Sequence, residues 1–185
     1  MQTFILTILI VFFIQPVAGQ VKNKINKPKG ITGCINRYNL TPEQRLNEYP
    51  FDQARQIQLV SFSQQEDTGN TMLSSIPIKN DTLSLSRVKR IVTLNKSQID
   101  KLTNILFNVG SKGNKYTFSV STALGLDGGI VFINSKNKIF EYINICFDCR
   151  EIEIMTSKVR KSVGLPCIEK MGILKLFFIE SGLTF

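Results

Sequence analysis

Short strand-like runs that follow one another over brief turns are the feature that most constrains the fold of this chain. Two apolar runs, 129–133 and 138–147, flank Asn-Ser-Lys-Asn at 134–137, a composition typical of turns. Further strand-like runs lie at 56–63, 82–94, 115–121 and 151–155. Successive runs are not regularly separated by a helix, as the strands of a parallel sheet usually are, and this favours antiparallel neighbours. The pattern predicts an α+β domain with a mostly antiparallel sheet.

Two segments have the apolar spacing of helices, at about 95–108 and 166–181. Asn95 and Gln98 form a capping pair before the first, and Gly182 suits the end of the second. The apolar stripe of the first is Ile99, Leu102, Ile105, Leu106 and Val109. The stripe of the second includes Cys167, Met171, Leu174, Phe177 and Phe178. We interpret both stripes as core faces packed on the sheet.

The first residues have the pattern of a secretory signal peptide. Residues 4–14 are apolar and uncharged, Pro16 ends the run, and Val-Ala-Gly at 17–19 offers a cleavage site after Gly19. No Lys or Arg precedes the run, so an uncleaved membrane anchor is the alternative, but a membrane-spanning helix needs about 20 apolar residues. The pattern predicts export to the periplasm or the extracellular space, with no membrane span once residues 1–19 are removed.

The remainder divides into a flexible basic tail at 20–33 and a single domain at 34–185, long enough to bury a core. The formal net charge is +9, from 23 Lys and Arg against 14 Asp and Glu. The small basic clusters are 22–29, Arg87 with Lys89 and Arg90, and Lys158 with Arg160 and Lys161. None interleaves with aromatic residues as a base-stacking surface would, which argues against nucleic acid. Another envelope protein or an anionic surface remains a candidate partner.

Four cysteines in an exported chain predict disulfides, and they are Cys34, Cys146, Cys149 and Cys167. If 138–150 were one regular strand, Cys146 and Cys149 would lie on opposite faces, about 10 Å apart and beyond disulfide reach. Either the strand ends in a turn at Phe147 and Asp148, or the two cysteines have different partners. We favour Cys149–Cys167, which fastens the last helix to the sheet, with Cys34 bonded to Cys146 or free.

The chain has no histidine, which excludes Ser-His and Cys-His nucleophile pairs and histidine-bearing metal sites. Catalytic cysteine pairs usually lie at a helix N-terminus, whereas Cys146 and Cys149 end an apolar strand beside the acidic Asp148. Zinc held by four thiolates is disfavoured because a second closely spaced pair is missing. We therefore predict no metal, no cofactor and no catalytic residue, and thiol-disulfide exchange at Cys146 and Cys149 is the alternative.

Carboxylates cluster in the sequence around the central strands, at Glu141, Asp148, Glu151 and Glu153. Glu141 shares strand parity with Ile139 and Ile143, so we expect it beside the core. Two such groups could act as acid and base on a glycan. Exposed strand carboxylates paired with Lys138, Arg150 or Lys158 explain the cluster more simply.

Three segments together resemble an uncharacterised family of small exported bacterial proteins with an Ile-Cys-Phe-x-Cys strand motif. They are Tyr-Pro-Phe at 49–51 leading to 57–62, the helical segment 94–106, and 129–149, which contains the motif at 145–149. The resemblance implies export and an α+β fold, and it brings no activity. The sequence therefore predicts an exported non-enzymatic protein, a disulfide-stabilised envelope or binding domain.

Overall fold

The computed structural model describes residues 34–36, 38–63, 75–111, 128–148, 151–154, 158 and 167–183. The chain divides into two units, 1–31 and 32–185, and every described residue belongs to the second. The predicted signal peptide at 1–19, the predicted tail at 20–33 and the predicted strand at 115–121 lie outside the described residues.

The described strands form one five-stranded sheet and two smaller pairs. Their bounds are β1 (Cys34–Asn36), β2 (Gln56–Phe62), β3 (Ile78–Lys79), β4 (Thr82–Leu83), β5 (Val88–Thr93), β6 (Val109–Ser111), β7 (Gly128–Ile133), β8 (Ile139–Cys146) and β9 (Glu151–Ile154). The large sheet has the order β5-β2-β7-β8-β9, and every neighbouring pair is antiparallel. β1 pairs with β6 and β3 with β4, also antiparallel. With the helices described next, this sheet confirms the predicted α+β class.

The turn between β7 and β8 forms where the sequence predicts it. The Asn134 side-chain oxygen accepts hydrogen bonds from the backbone N–H groups of Lys136, at 2.9 Å, and Lys138, at 3.1 Å. Asn137 has a left-handed backbone with φ of 58°, a conformation that asparagine tolerates better than most residues. Local side-chain bonds therefore form this turn, and Lys138 and Ile139 at its end also donate to the backbone oxygens of Asn80 and Asp81.

The described helices are α1 (Pro42–Leu46), α2 (Lys96–Thr103), a π-helical turn (Asn104–Asn108) and α3 (Ile168–Glu180), with a 3₁₀ turn at Phe51–Gln53. The predicted helix at 95–108 is thus α2 continued by the π turn. Its capping pair is confirmed, since the side chains of Asn95 and Gln98 each accept a 2.9 Å hydrogen bond from the other's backbone N–H. The predicted helix at 166–181 is α3, with Cys167 as its N-cap residue.

Side chains pack against both faces of the sheet, in two clusters. The larger core joins strand residues such as Leu59, Ile130 and Ile143 to residues of the helices, including Leu102, Leu106, Leu174 and Phe178. The second core consists of Val60, Phe62, Ile76, Val131 and Ile139, with side chains of the β3–β4 hairpin packed against it. Gly129 allows this close approach, because a Cβ atom there would lie 2.4 Å from the Cδ1 atom of Ile76.

Within the described residues, no helix is both long enough and apolar enough to span a membrane.

Candidate functional site

A disulfide between Cys34 and Cys167 joins the first described strand to the last helix. Their Cα atoms are 5.6 Å apart, within the usual disulfide range, and 133 residues separate them in the sequence. The predicted Cys149–Cys167 bond is therefore wrong. The reason is the position of β1, which pairs with β6 directly after the π turn, and both β1 and the π turn contact α3. Cys34 is thereby brought to the start of that helix.

Cys146 also forms a disulfide, and its side chain is 1% exposed. Because Cys34 and Cys167 bond each other, the alternative pairing of Cys34 with Cys146 is also wrong. β8 ends at Cys146 and a turn occupies Phe147 and Asp148. Of the two predicted alternatives, the one in which the strand ends in a turn at Phe147 and Asp148 is therefore confirmed. Cys149 itself lies outside the described residues.

The start of α3 places two charged residues beside the Cys34–Cys167 bond. A carboxylate oxygen of Glu169 and the two sulfur atoms all lie within 4.8 Å of one another. The sulfur atoms are bonded to each other, so neither is a thiolate ligand for a metal in this state. The Oε2 atom of Glu169 is buried and has no hydrogen-bond partner. A buried carboxylate oxygen without a hydrogen-bond partner costs free energy. The positive end of the helix dipole favours a carboxylate in the first turn and offsets part of this cost.

Lys170 is fully buried one residue further along α3. Its Nζ atom donates a 2.7 Å hydrogen bond to the backbone oxygen of Leu106 in the π turn. Removal from water disfavours the charged amine and lowers the pKa of Lys170 to about 7. The apolar stripe of the predicted helix did not indicate a buried lysine. Cys167 is only 3% exposed, so the α3 side of this corner is closed to solvent, whereas Cys34 and Glu169 are partly exposed.

Glu141 is a buried charged residue on β8, and it is 3% exposed as its strand position predicts. Its Oε2 atom accepts a 3.1 Å hydrogen bond from the Tyr49 hydroxyl, and its Oε1 atom accepts one of 3.0 Å from the backbone N–H of Tyr142. Ile143 packs in the larger core, whereas Ile139 packs in the second. The shift in register between Phe132 and Ile133 separates these two isoleucines, which the sequence placed together.

Tyr49, the hydrogen-bond partner of Glu141, was not identified from the sequence as a residue of this site. Desolvation, followed by the hydrogen bond to Glu141, raises the pKa of Tyr49 to about 12. The Nζ atom of Lys158 lies 3.9 Å from the centre of the Tyr49 ring, a cation–π contact. Tyr49 and Glu141 are 92 residues apart, and no local pattern predicts their contact. The predicted pairing of Lys158 with a strand carboxylate stays a prediction.

Two members of the predicted carboxylate cluster, Glu141 and Asp148, lie apart in the structure. Asp148 is exposed, and one of its oxygens lies 3.3 Å from Nζ of Lys175. Five strand steps from Glu141 to Cys146 span about 16 Å, well beyond the separation of paired carboxylates in glycosidases. Glu151 and Glu153 lie on β9, opposite Cys146 and Asn144. Glu141 and Asp148 therefore do not form an acid/base pair.

The predicted basic cluster at Arg87, Lys89 and Arg90 lies at an edge of the large sheet. Lys89 and Arg90 are exposed on β5, which pairs with β2 and with no other described strand. A guanidinium nitrogen of Arg90 lies 3.9 Å from where a Cβ atom of Gly182 would be, just beyond the end of α3. The free carbonyl groups at a helix C-terminus favour a cation there.

No family model matches this chain, and neither the curated proteins nor the solved structures contain a match. The resemblance to small exported bacterial proteins remains a prediction.

Proposed function

We propose that this protein is an exported, non-enzymatic binding domain of the periplasm or the cell surface, stabilised by disulfides. The observation that carries the proposal is the Cys34–Cys167 bond, which closes a loop of nearly the whole described domain. Disulfides persist mainly in oxidising compartments outside the cytosol. The apolar run at 4–14 and the small residues at 17–19 support the same location.

The arrangement of buried charges favours binding over catalysis. Arg45 is buried and donates to the Thr103 hydroxyl at 3.1 Å and to the Leu40 backbone oxygen at 2.6 Å, and it also pairs with Asp100. Glu141 and Lys170 likewise bond to groups of the fold. Each of these bonds ties one element of the fold to another. The exposed charges of β5, in contrast, face solvent and suit recognition of an acidic partner.

The test of this proposal is the location and the cysteine state of the protein in a bacterial host. The full chain is expressed, the cells are fractionated, and the N-terminus of the exported protein is sequenced. Peptide mapping without reduction then identifies the cysteine pairs. We expect cleavage after Gly19 and a peptide that contains Cys34 bonded to Cys167.

A variant with Leu9→Arg and Val11→Arg is the control, because charges in the apolar run block export. Protein that keeps residues 1–19, remains in the cytosol and carries reduced thiols would contradict the proposal.

Thiol-disulfide exchange at Cys146 and Cys149 is the second candidate function. It is favoured by one observation, a disulfide at Cys146 whose partner is neither Cys34 nor Cys167. Burial of Cys146 opposes it, because exchange requires a nucleophile to reach a sulfur atom.

Mild reduction with glutathione, followed by alkylation and mass spectrometry, distinguishes the two functions. Release of Cys146 while Cys34–Cys167 stays intact, with insulin reduction that Cys146→Ser abolishes, would establish the oxidoreductase. Bonds that resist glutathione, with no insulin reduction, support the binding domain. The Cys34→Ser/Cys167→Ser double variant is the matched control for loss of a disulfide.

A further inference from the structure

We propose that the outer edge of β5 binds an extended acidic segment of a partner protein, which adds to the sheet as a sixth strand. This inference rests on the proposed binding function and names its surface and the chemistry of its partner. Strand addition of this kind takes affinity from main-chain hydrogen bonds and specificity from side chains.

The hydrogen bonding of β5 fixes which main-chain groups face outward. The backbone N–H of Leu94 donates to the Ile57 oxygen at 3.0 Å, and in antiparallel pairs the bonded positions alternate. The register pairs Val92 with Leu59 and Arg90 with Ser61. The N–H and C=O groups of Ile91 and Thr93 therefore point away from β2, whereas a bulge in the register between Ser61 and Phe62 interrupts this alternation at Lys89.

These outward main-chain groups are placed to form hydrogen bonds with a further strand. In the part of the chain that the structure describes, β2 is the only strand paired with β5. Ile91 and Thr93 are both exposed. Alternate donors and acceptors at strand spacing match another polypeptide main chain, which a lipid surface or a polysaccharide does not supply.

The charge of this edge selects an acidic partner. Lys89 and Arg90 are both exposed and directly precede Ile91, so they lie at the start of the stretch that an added strand would cover. β2 and β5 contain no Asp or Glu. The ion pairs among the described residues involve none of Arg87, Lys89 and Arg90.

The same charges argue against a second copy of this chain as the occupant. Lysine on an edge strand is a common protection against edge-to-edge association. Two β5 edges brought together would place like charges across from each other, which is destabilising. Ile91 is 37% exposed next to Arg90 and offers an apolar contact. The partner segment that fits alternates acidic residues with β-branched ones.

The first experiment uses the purified, oxidised protein and a synthetic peptide that alternates glutamate with valine over the 6 residues of β5. Binding is followed by fluorescence anisotropy of the labelled peptide. Two further peptides carry N-methyl groups, one on all the valines and the other on all the glutamates. Only alternate amides of an added strand face β5, so we expect one methylated peptide to lose at least about tenfold in affinity and the other to bind.

Amide hydrogen exchange gives the location. We expect the acidic peptide to protect the N–H groups of Ile91 and Thr93, whereas those of Arg90 and Val92 are already bonded to β2. Equal binding of both methylated peptides, or tight binding of heparin or of phosphatidylglycerol vesicles without this protection pattern, would overturn strand addition.

Variants of β5 provide the second test. Ile91→Pro removes one outward donor, and edge strands tolerate proline where the N–H faces solvent, so we expect at least about tenfold weaker binding. Lys89→Glu with Arg90→Glu should abolish binding of the acidic peptide and permit binding of a lysine–valine peptide. Lys136→Glu, an equal change of charge in the exposed β7–β8 turn, should leave binding unchanged.

Circular dichroism checks that each variant is folded. If Ile91→Pro is unfolded, the charge-reversal variant alone tests strand addition. Binding that survives the charge reversal would contradict the inference. A failure here differs from a failure of the proposed function, because export and cysteine pairing are measured without any peptide.

Discussion

The corner where β1 meets α3 and the outer edge of β5 both carry lysine, yet they place its charge in opposite environments. Lys170 is fully buried beside the Cys34–Cys167 bond, and burial lowers its pKa to about 7. Lys89 is exposed on an edge strand among other cations. The closed corner uses its polar groups to hold elements of the domain together, whereas the edge leaves its charges available to a partner.

The largest effect should come from the closed corner. Cys34→Ser with Cys167→Ser removes a cross-link across 133 residues and should lower the free energy of unfolding by about 2–5 kcal/mol. Urea denaturation of the oxidised protein measures the change. A loss below about 1 kcal/mol would show that the bond does not constrain the unfolded chain as expected.

The next largest effect should be the change in unfolding free energy with pH that the buried Lys170 causes. Its pKa is about 7 in the folded protein and 10.5 for the unperturbed amine, so between these values the unfolded chain binds more protons. Stability should therefore rise with pH across this window, by at most about 1.4 kcal/mol per pH unit, and fall as the pH approaches 7. Urea denaturation at several pH values below the onset of tyrosine ionisation, near pH 10, measures the slope.

Lys170→Met should remove this slope, because methionine fills the site without a titrating group. Lys175→Met, on the same helix but near the surface, is the matched control and should retain it. An unchanged slope in Lys170→Met would place the titrating group elsewhere.

A smaller effect is expected at the buried carboxylate of Glu141. Tyr49→Phe removes one of its hydrogen-bond donors and should cost about 1–3 kcal/mol of unfolding free energy. The raised pKa of Tyr49 also means that the folded protein keeps a proton which the unfolded chain loses between pH 10 and about 12. Stability should fall as pH rises through that window, and less so in the variant.

Ultraviolet titration of the phenolate, together with urea denaturation, tests both statements. Tyr38→Phe is the control, because Tyr38 is 50% exposed and its loss should cost little. Ionisation of Tyr49 near pH 10 would contradict the hydrogen bond to Glu141.

The smallest effect on stability should come from the open edge. Lys89→Glu with Arg90→Glu should change the unfolding free energy by no more than about 1 kcal/mol, since both side chains are exposed and the position of Arg90 near the end of α3 contributes about 0.3–1 kcal/mol. A loss above about 1 kcal/mol in urea denaturation would mean that these cations stabilise the fold, and the contrast between the two regions would fail.

Local features of the fold followed from the sequence. The capping pair of Asn95 and Gln98 and the turn at 134–137 depend on residues within a few positions of each other, and the burial of Glu141 follows the strand face that it shares with Ile143. Periodicity and turn chemistry act at this range, which is why the α+β class was predictable. The short helix α1 was not predicted, because five residues are too few to establish a helical period.

The sequence by itself determined the number and kind of the cysteines, the absence of histidine, the basic balance and the strand and helix patterns. Only the tertiary structure decided which distant residues meet: Cys34 with Cys167, Tyr49 with Glu141, and Lys170 with the backbone of Leu106. Such contacts depend on the order of strands in the sheet and on the placement of α3 beside β1. Local propensity carries no information about either, because both result from packing of whole elements around the core.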